Sequence, residues 1–235
     1  MNLLLVPEQD ARTTGPVRIE GRAFRHLKEI RHLQTGDCFP AGIINGPMGE
    51  ARVLSVAGDH AEVSLDCHKP PPPPLPLTLV MALPRPKMLR RVLQTTIAMG
   101  VKRLVLINSY KVEKSYWQTP WLQQEALDEQ VRLGLEQSMD TVWPEISLRK
   151  RFKPFVEDEL AELAADSERL IAHPGVADPC PRGLTSPVTL CVGPEGGFIP
   201  YEVELVRQQG FSAVHLGPRI LRVEAAIPAL LSRLF

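Results

Sequence analysis

Two glycine-bearing turns late in the chain carry the residues best suited to chemistry. The first, Gly193-Pro194-Glu195-Gly196-Gly197, follows the apolar run 188–192, and the second, around Gly217-Pro218, follows the short apolar run 213–216. Runs of this kind read as buried strands, and glycine lets the backbone approach a ligand closely because no Cβ intervenes. Neither turn is a phosphate cradle. A Walker loop needs Gly-Lys-Ser/Thr after its glycines and a dinucleotide fingerprint needs Gly-x-Gly-x-x-Gly, and both are absent. Either turn alone reads as a plain strand-to-helix connection. Together they leave two strands of what would be one sheet, and in an open α/β sheet ligands sit beyond the carboxyl ends of the strands. His173-Pro174 ends a further apolar run, 169–172, at the same sheet edge, and Arg222 and Glu224 open a helical segment from about Val223.

These turns must be held by a regular frame, and the chain from Leu77 onward supplies one. Apolar runs at 77–83, 101–107, 145–148 and 169–172 alternate with helical spacing at Met88, Leu89, Val92, Leu93, Thr96 and Ile97, at Leu127, Val131 and Leu135, and over 155–165. Gly100 reads as the residue closing the first of these helices. Such alternation predicts an α/β fold, a mainly parallel sheet with helices on both faces. Pro228 lies near the fifth position of the last helix, where its ring removes one hydrogen bond and leaves the Glu224 carbonyl without its usual donor.

The run from Pro70 to Pro76 can be neither helix nor central strand, and it divides residues 1–69 from 77–235 as a stiff connector. Before it, β-like pieces at 51–56 and 61–65 alternate with turn clusters at Asn45-Gly46-Pro47 and Ala57-Gly58-Asp59, which predicts a small β-barrel. A helix over 21–33 carries Phe24, Leu27, Ile30 and Leu33 on one face. Arg22, Arg25, Lys28 and Arg31 on this helix read either as solvated surface or as a phosphate-tracking patch, to which Lys87, Arg90 and Arg91 add at the start of the later domain.

The totals narrow the function classes. With 27 Lys and Arg against 27 Asp and Glu the net charge is zero, so any binding of nucleic acid requires segregated positive charge. The apolar start 1–7 has no basic region before it and is too short for a signal or a membrane span, which predicts a cytoplasmic protein without a membrane partner. The four cysteines, Cys38, Cys67, Cys180 and Cys191, have no metal-ligand spacing, so no metal site and no disulfide framework is expected.

The paired motifs Gly193-Pro194-Glu195-Gly196-Gly197 and Leu216-Gly217-Pro218-Arg219-Ile220-Leu221-Arg222, with His173-Pro174 and Glu136-Gln137-Ser138, closely resemble those of the small-subunit ribosomal RNA (uracil-N3)-methyltransferases of the SPOUT class. The resemblance implies a trefoil-knotted sheet binding S-adenosylmethionine, a PUA-like N-terminal barrel that grips RNA, and a homodimer acting on ribosomal RNA of the small subunit. It assigns the cofactor to His173, Gly193, Pro194, Glu195, Gly196, Gly197, Leu216, Gly217, Pro218, Ile220 and Leu221. It places Arg222 at the base, stabilising charge that grows on the uracil oxygens, with Glu224 as proton acceptor or as the group that orients Arg222. Several polar positions of the family differ. Thr95, Ala98, Tyr110, Asp140 and Ala225 stand where it has other residues, and Ser109-Tyr110-Lys111 replaces a Ser-Glu-Arg motif. These changes leave open an RNA-binding paralogue without turnover and a methyltransferase for a different nucleotide.

Overall fold

The computed structural model describes residues 1–12 and 15–235, with the side chains of Ile30 and Arg31 outside that description. The chain forms two compact units, Met1–Pro73 with Val131–Trp143 and Pro74–Gln130 with Pro144–Phe235.

The first unit contains β1 (Leu4–Val6), a single turn of helix α1 (Glu8–Ala11), β2 (Val17–Glu20), α2 (Gly21–Arg31), β3 (Cys38–Ile43), β4 (Met48–Val56) and β5 (His60–Lys69). Its strands make one sheet in the order β1-β3-β4-β5-β2, antiparallel except for the parallel pair β1 and β3. Alternation sets the inner face. Val17 and Ile19 of β2, Ala51 and Val53 of β4, and Ala61 and Val63 of β5 are buried while their neighbours face outward, and α2 lays Phe24 and Leu27 into the same core.

A cut at the prolines alone would place Val131–Trp143 with the later domain, but its polar groups find their partners in the first unit. The N–H groups of Asn2 and Leu3 both donate to the Glu136 carbonyl at 3.2 Å, Thr141 Oγ1 donates to the Gly46 carbonyl at 2.7 Å, and the Trp143 N–H donates to Asn45 Oδ1 at 2.8 Å. The Glu136 side chain is buried and takes an ion pair from half-buried Arg22. Glu136, a residue of the family motif, is thus a structural carboxylate. Removing Arg22 strands that carboxylate inside the unit. Arg22→Ala is expected to cost about 2 kcal/mol in urea unfolding, below the figure for a fully buried pair because the guanidinium is partly solvated.

The second unit contains β6 (Leu77–Ala82), α3 (Pro86–Ala98), β7 (Arg103–Ile107), the first half of α4 (Gln124–Ser138), β8 (Glu145–Arg149), α5 (Phe152–Pro154), α6 (Leu160–Leu163), β9 (Glu168–Ala172), β10 (Val188–Val192), α7 (Pro200–Gln208), β11 (Ser212–Val214) and α8 (Val223–Leu234). Six parallel strands run in the order β11-β9-β10-β6-β7-β8. Helices flank the sheet, with α3 against α8 and α7 against β9 and β11. Every residue of β10 is buried, as a central parallel strand covered on both faces requires. Burial also pushes the Cys191 thiol well up, so this cysteine is a packing residue. Gly100 closes α3 at φ 90°, in the left-handed region that favours glycine.

Two elements differ from their sequence reading. The helix expected over 155–165 begins at Phe152 and contains a π-helical stretch, Phe155–Glu159, a change of pitch that apolar spacing does not reveal. The last strand stops at Val214, because His215 leaves the ladder to bridge Pro179.

Chain order fixes where a ligand can enter. From β6 the sheet grows through β7 to β8 on one side; the chain then returns to lay β10 between β9 and β6, so the winding direction changes at β6 and β10. A crevice forms at the carboxyl ends of strands at such a point.

Candidate functional site

Loops from β9, β10 and β11 wall a cleft of about 210 Å³ beyond those carboxyl ends. His173 and Pro174 line it after β9, Gly193 to Gly197 after β10, and His215 to Gly217 with Arg219, Ile220 and Leu221 after β11, while Val223, Ala226 and Leu230 of α8 close it. The glycines are there for steric reasons. A Cβ on Gly193 would lie 2.9 Å from the Phe198 backbone nitrogen and 3.1 Å from its ring, so the chain can reverse this tightly only without one. Gly197, at φ 69°, donates its N–H to the Pro194 carbonyl at 2.7 Å. Gly217, at φ 124°, donates to His215 Nδ1 at 2.8 Å, which makes that nitrogen the unprotonated one.

His173 is held by its backbone N–H, which donates to the Val214 carbonyl at 3.0 Å, yet its buried Nδ1 has no hydrogen-bond partner among the described residues. Burial, and then the charge of Lys111, lower its pKa below that of an ordinary histidine. The folded state therefore binds its proton less readily than the unfolded chain. The corresponding stability is present above the ordinary histidine pKa and is lost as pH falls through the lowered value. An NMR titration of the His173 ring is expected to give a midpoint below 6.5.

A second cleft, of about 730 Å³, adjoins the first through Glu195, which lines both. Its other walls are Arg85, Pro86, Lys87, Met88, Tyr116, Arg222 and Glu224. The Glu195 carboxylate accepts the Arg85 backbone N–H at 3.0 Å. Arg222 is the N-cap residue of α8 and caps nothing with its side chain. Short polar residues are preferred at that position, and a cation gains nothing beside the positive end of a helix. Its guanidinium is exposed and makes no hydrogen bond or ion pair among the described residues, so it is available to a ligand.

The residues expected to hold a cofactor therefore share the first cleft, except Pro218, which is exposed and does not line it. Arg222 and Glu224 lie in the second cleft rather than the first. Among the basic candidates, Lys87 lines the second cleft, Arg91 is exposed on α3, and Arg90 stacks over Trp121 at 4.5 Å. In the first unit Arg22 is committed to Glu136, Arg25 is exposed, and Lys28 donates to the Gly58 carbonyl at 3.1 Å; the side chain of Arg31 is outside the described residues.

Some residues of the site were not foreseen. Lys111 donates its Nζ to the Gly196 carbonyl at 2.6 Å, and Arg85 and Tyr116 line the second cleft. Glu202 of α7 is 3% exposed, and its carboxylate accepts the N–H of Tyr110 at 2.7 Å and that of Ile199 at 3.0 Å. Its place three residues after Ile199 is a capping spacing that the sequence does display. Asp140, one of the altered positions, accepts the Val142 N–H at 2.9 Å within the first unit.

Residues 71–235 match the family model described as an RNA methyltransferase domain, and the chain belongs to that family. A ribosomal RNA small subunit methyltransferase E from Treponema pallidum (strain Nichols) is 29% identical over 242 residues, covering 96% of this chain and 87% of the relative. A protein of the same name from Synechocystis is 26% identical over 240 residues, covering 99% and 76%. A crystal structure of a ribosomal RNA small subunit methyltransferase E from Neisseria gonorrhoeae, bound to S-adenosyl methionine, superimposes with a TM-score of 0.76 at 22% identity, covering 99% of this chain and 95% of that one. No helix among the described residues is long and apolar enough to cross a membrane.

Proposed function

We propose that this chain is a methyltransferase that uses S-adenosylmethionine to methylate N3 of a uridine in small-subunit ribosomal RNA. The observation that carries the reading is the pair of adjoining clefts at the change of winding direction. One is walled by glycine backbone and apolar side chains; the other is lined by three cations and two carboxylates, and Glu195 stands between them. Membership of the RNA methyltransferase family and similarity to small-subunit ribosomal RNA methyltransferases support it.

The first cleft suits S-adenosylmethionine. Gly197 and Gly217 have open space where a side chain would stand, and His173 Nδ1 has no partner among the described residues, so a polar ligand atom would satisfy it. Gly193 to Gly197 and Leu216 to Leu221, Pro218 apart, would hold the cofactor, which supplies a methyl group on a sulfonium. The second cleft would receive the uridine. Uracil N3 must lose its proton to become a nucleophile, and the charge spreads onto the two flanking oxygens. Arg222, together with the amino end of α8, stabilises that anion more than neutral uracil and so acts mainly on the transition state. Glu224, half-buried two residues further on, takes the proton or orients the guanidinium.

The finer features belong to the same reading. They are a trefoil knot of the SPOUT class in residues 77–235, a PUA-like RNA-gripping domain in residues 1–69 joined by the linker 70–76, a homodimer, and a place in the cytoplasm. Ile220, 81% exposed beside the cofactor cleft, and exposed Leu221 support a partner surface there. Phosphate contacts by Arg25, Lys28, Lys87 and Arg91 make RNA affinity fall steeply with salt. Removing Lys87 or Arg91 is expected to lower the slope of log affinity against log salt by roughly one. An affinity indifferent to salt would refute the RNA part of this function.

A further inference from the structure

We infer that Glu202 and Lys111 are positioning residues that hold the glycine loop after β10 in its ligand-ready shape from two sides. The inference rests on the cofactor reading of the first cleft, and neither residue is counted among those lining that cleft.

Glu202 lies in the first turn of α7, where a carboxylate reaching back to the Ile199 N–H is an ordinary helix-start contact. That contact uses only one oxygen. The other accepts the N–H of Tyr110, in the loop that leaves β7, so one buried carboxylate joins the exit loops of β7 and β10 at the carboxyl edge of the sheet. Two N–H donors on one carboxylate are a charge-assisted pair, and both donors would lose their acceptor if it were removed.

Lys111, next to Tyr110, completes the tie. Its stem lies across Gly196, where a Cβ would come within 2.8 Å of the lysine Cδ, and its ammonium grips the Gly196 carbonyl at 2.6 Å. Glu202 therefore fixes the loop at Ile199 and Lys111 fixes it at Gly196, both through the segment Tyr110-Lys111. Gly197, between these anchors, lines the cleft, as do Gly196 at the first anchor and Glu195 just before it. A loop fixed before the ligand arrives loses less freedom on binding, so the tie acts on affinity.

The test uses the full chain with S-adenosylmethionine as calorimetric probe, amide hydrogen exchange without it, and thermal unfolding. Glu202→Gln keeps an acceptor for one N–H and turns an amide NH₂ toward the other. It is expected to weaken cofactor binding about tenfold, to speed exchange at Tyr110 or Ile199, and to shift the unfolding midpoint little. Lys111→Met keeps the stem and removes the ammonium, and is expected to weaken binding in the same direction should Glu202→Gln fail to fold. Parent-like affinity and parent-like exchange in either folded variant overturn the inference. A loss of affinity matched by a loss of global stability makes Glu202 a helix cap only, and overturns it too. If the parent chain itself binds no S-adenosylmethionine, the cofactor reading fails instead, and the exchange rates still report whether the loop is tied.

Discussion

Arg222→Ala is expected to leave affinity for S-adenosylmethionine within a few-fold while lowering single-turnover methylation by about two orders of magnitude, the scale on which one charge-stabilising donor acts. The division of the site supports this separation. Arg222 lines the second cleft and not the first, so its removal leaves the cofactor walls intact. It is also exposed at the N-cap of α8 without a capping contact, so its loss does not unpair a buried group. Arg222→Lys should recover little, because an ammonium lacks the planar fork that can reach two acceptors on a base. Methylation by the alanine variant at the parent rate would move the role to Arg85 or Lys87, the other cations of that cleft.

Gly193→Ala is expected to weaken the cofactor by roughly tenfold to a hundredfold, since overpacking of this kind costs about 1–3 kcal/mol and the loop can relieve it only by moving its backbone. The atom in the way is the Phe198 nitrogen, which no rotamer change can remove. Gly196→Ala makes the internal control. Its Cβ would meet the stem of Lys111, a flexible side chain that can swing aside only by loosening its contact with the Gly196 carbonyl, so its effect should not exceed that of Lys111→Met and should stay below that of Gly193→Ala. Calorimetric titration of both variants checks the ranking. Equal affinities would mean that the turn at Gly193 is not part of the ligand's wall.

What the sequence disclosed and what it withheld follow from how each feature is encoded. Gly197 and Gly217 were legible because a left-handed backbone leaves a covalent trace, the missing Cβ. The parallel strands were legible because burial on both faces makes them continuously apolar, as in β6 and β10. Strand β1 has only three residues, too few to show a period, and its parallel pairing with β3 has no local signal. The return of Val131–Trp143 to the first unit rests on Asn45, Thr141 and Glu136, polar residues whose partners lie far away in the chain. The partners of Lys111 and Glu202 were hidden for the same reason, although Lys111 stands in the altered segment Ser109-Tyr110-Lys111 and Glu202 at a capping spacing from Ile199. Those partners are backbone groups of Gly196, Ile199 and Tyr110, and a backbone N–H or carbonyl carries no residue type to read. Glu195 was singled out from its motif, but only the folded chain reveals that it borders both clefts.

Methyl transfer to uracil N3 is tested most directly by identifying the product itself. The full chain, S-adenosylmethionine carrying an isotopically labelled methyl group, and small-subunit ribosomal RNA lacking the modification are incubated under single-turnover conditions. The RNA is then digested to nucleosides for mass spectrometry. Labelled 3-methyluridine, formed by the parent and reduced about a hundredfold by Arg222→Ala, is the expected result. RNA that stays unlabelled in the presence of bound cofactor, or a label on any other nucleoside, would contradict it.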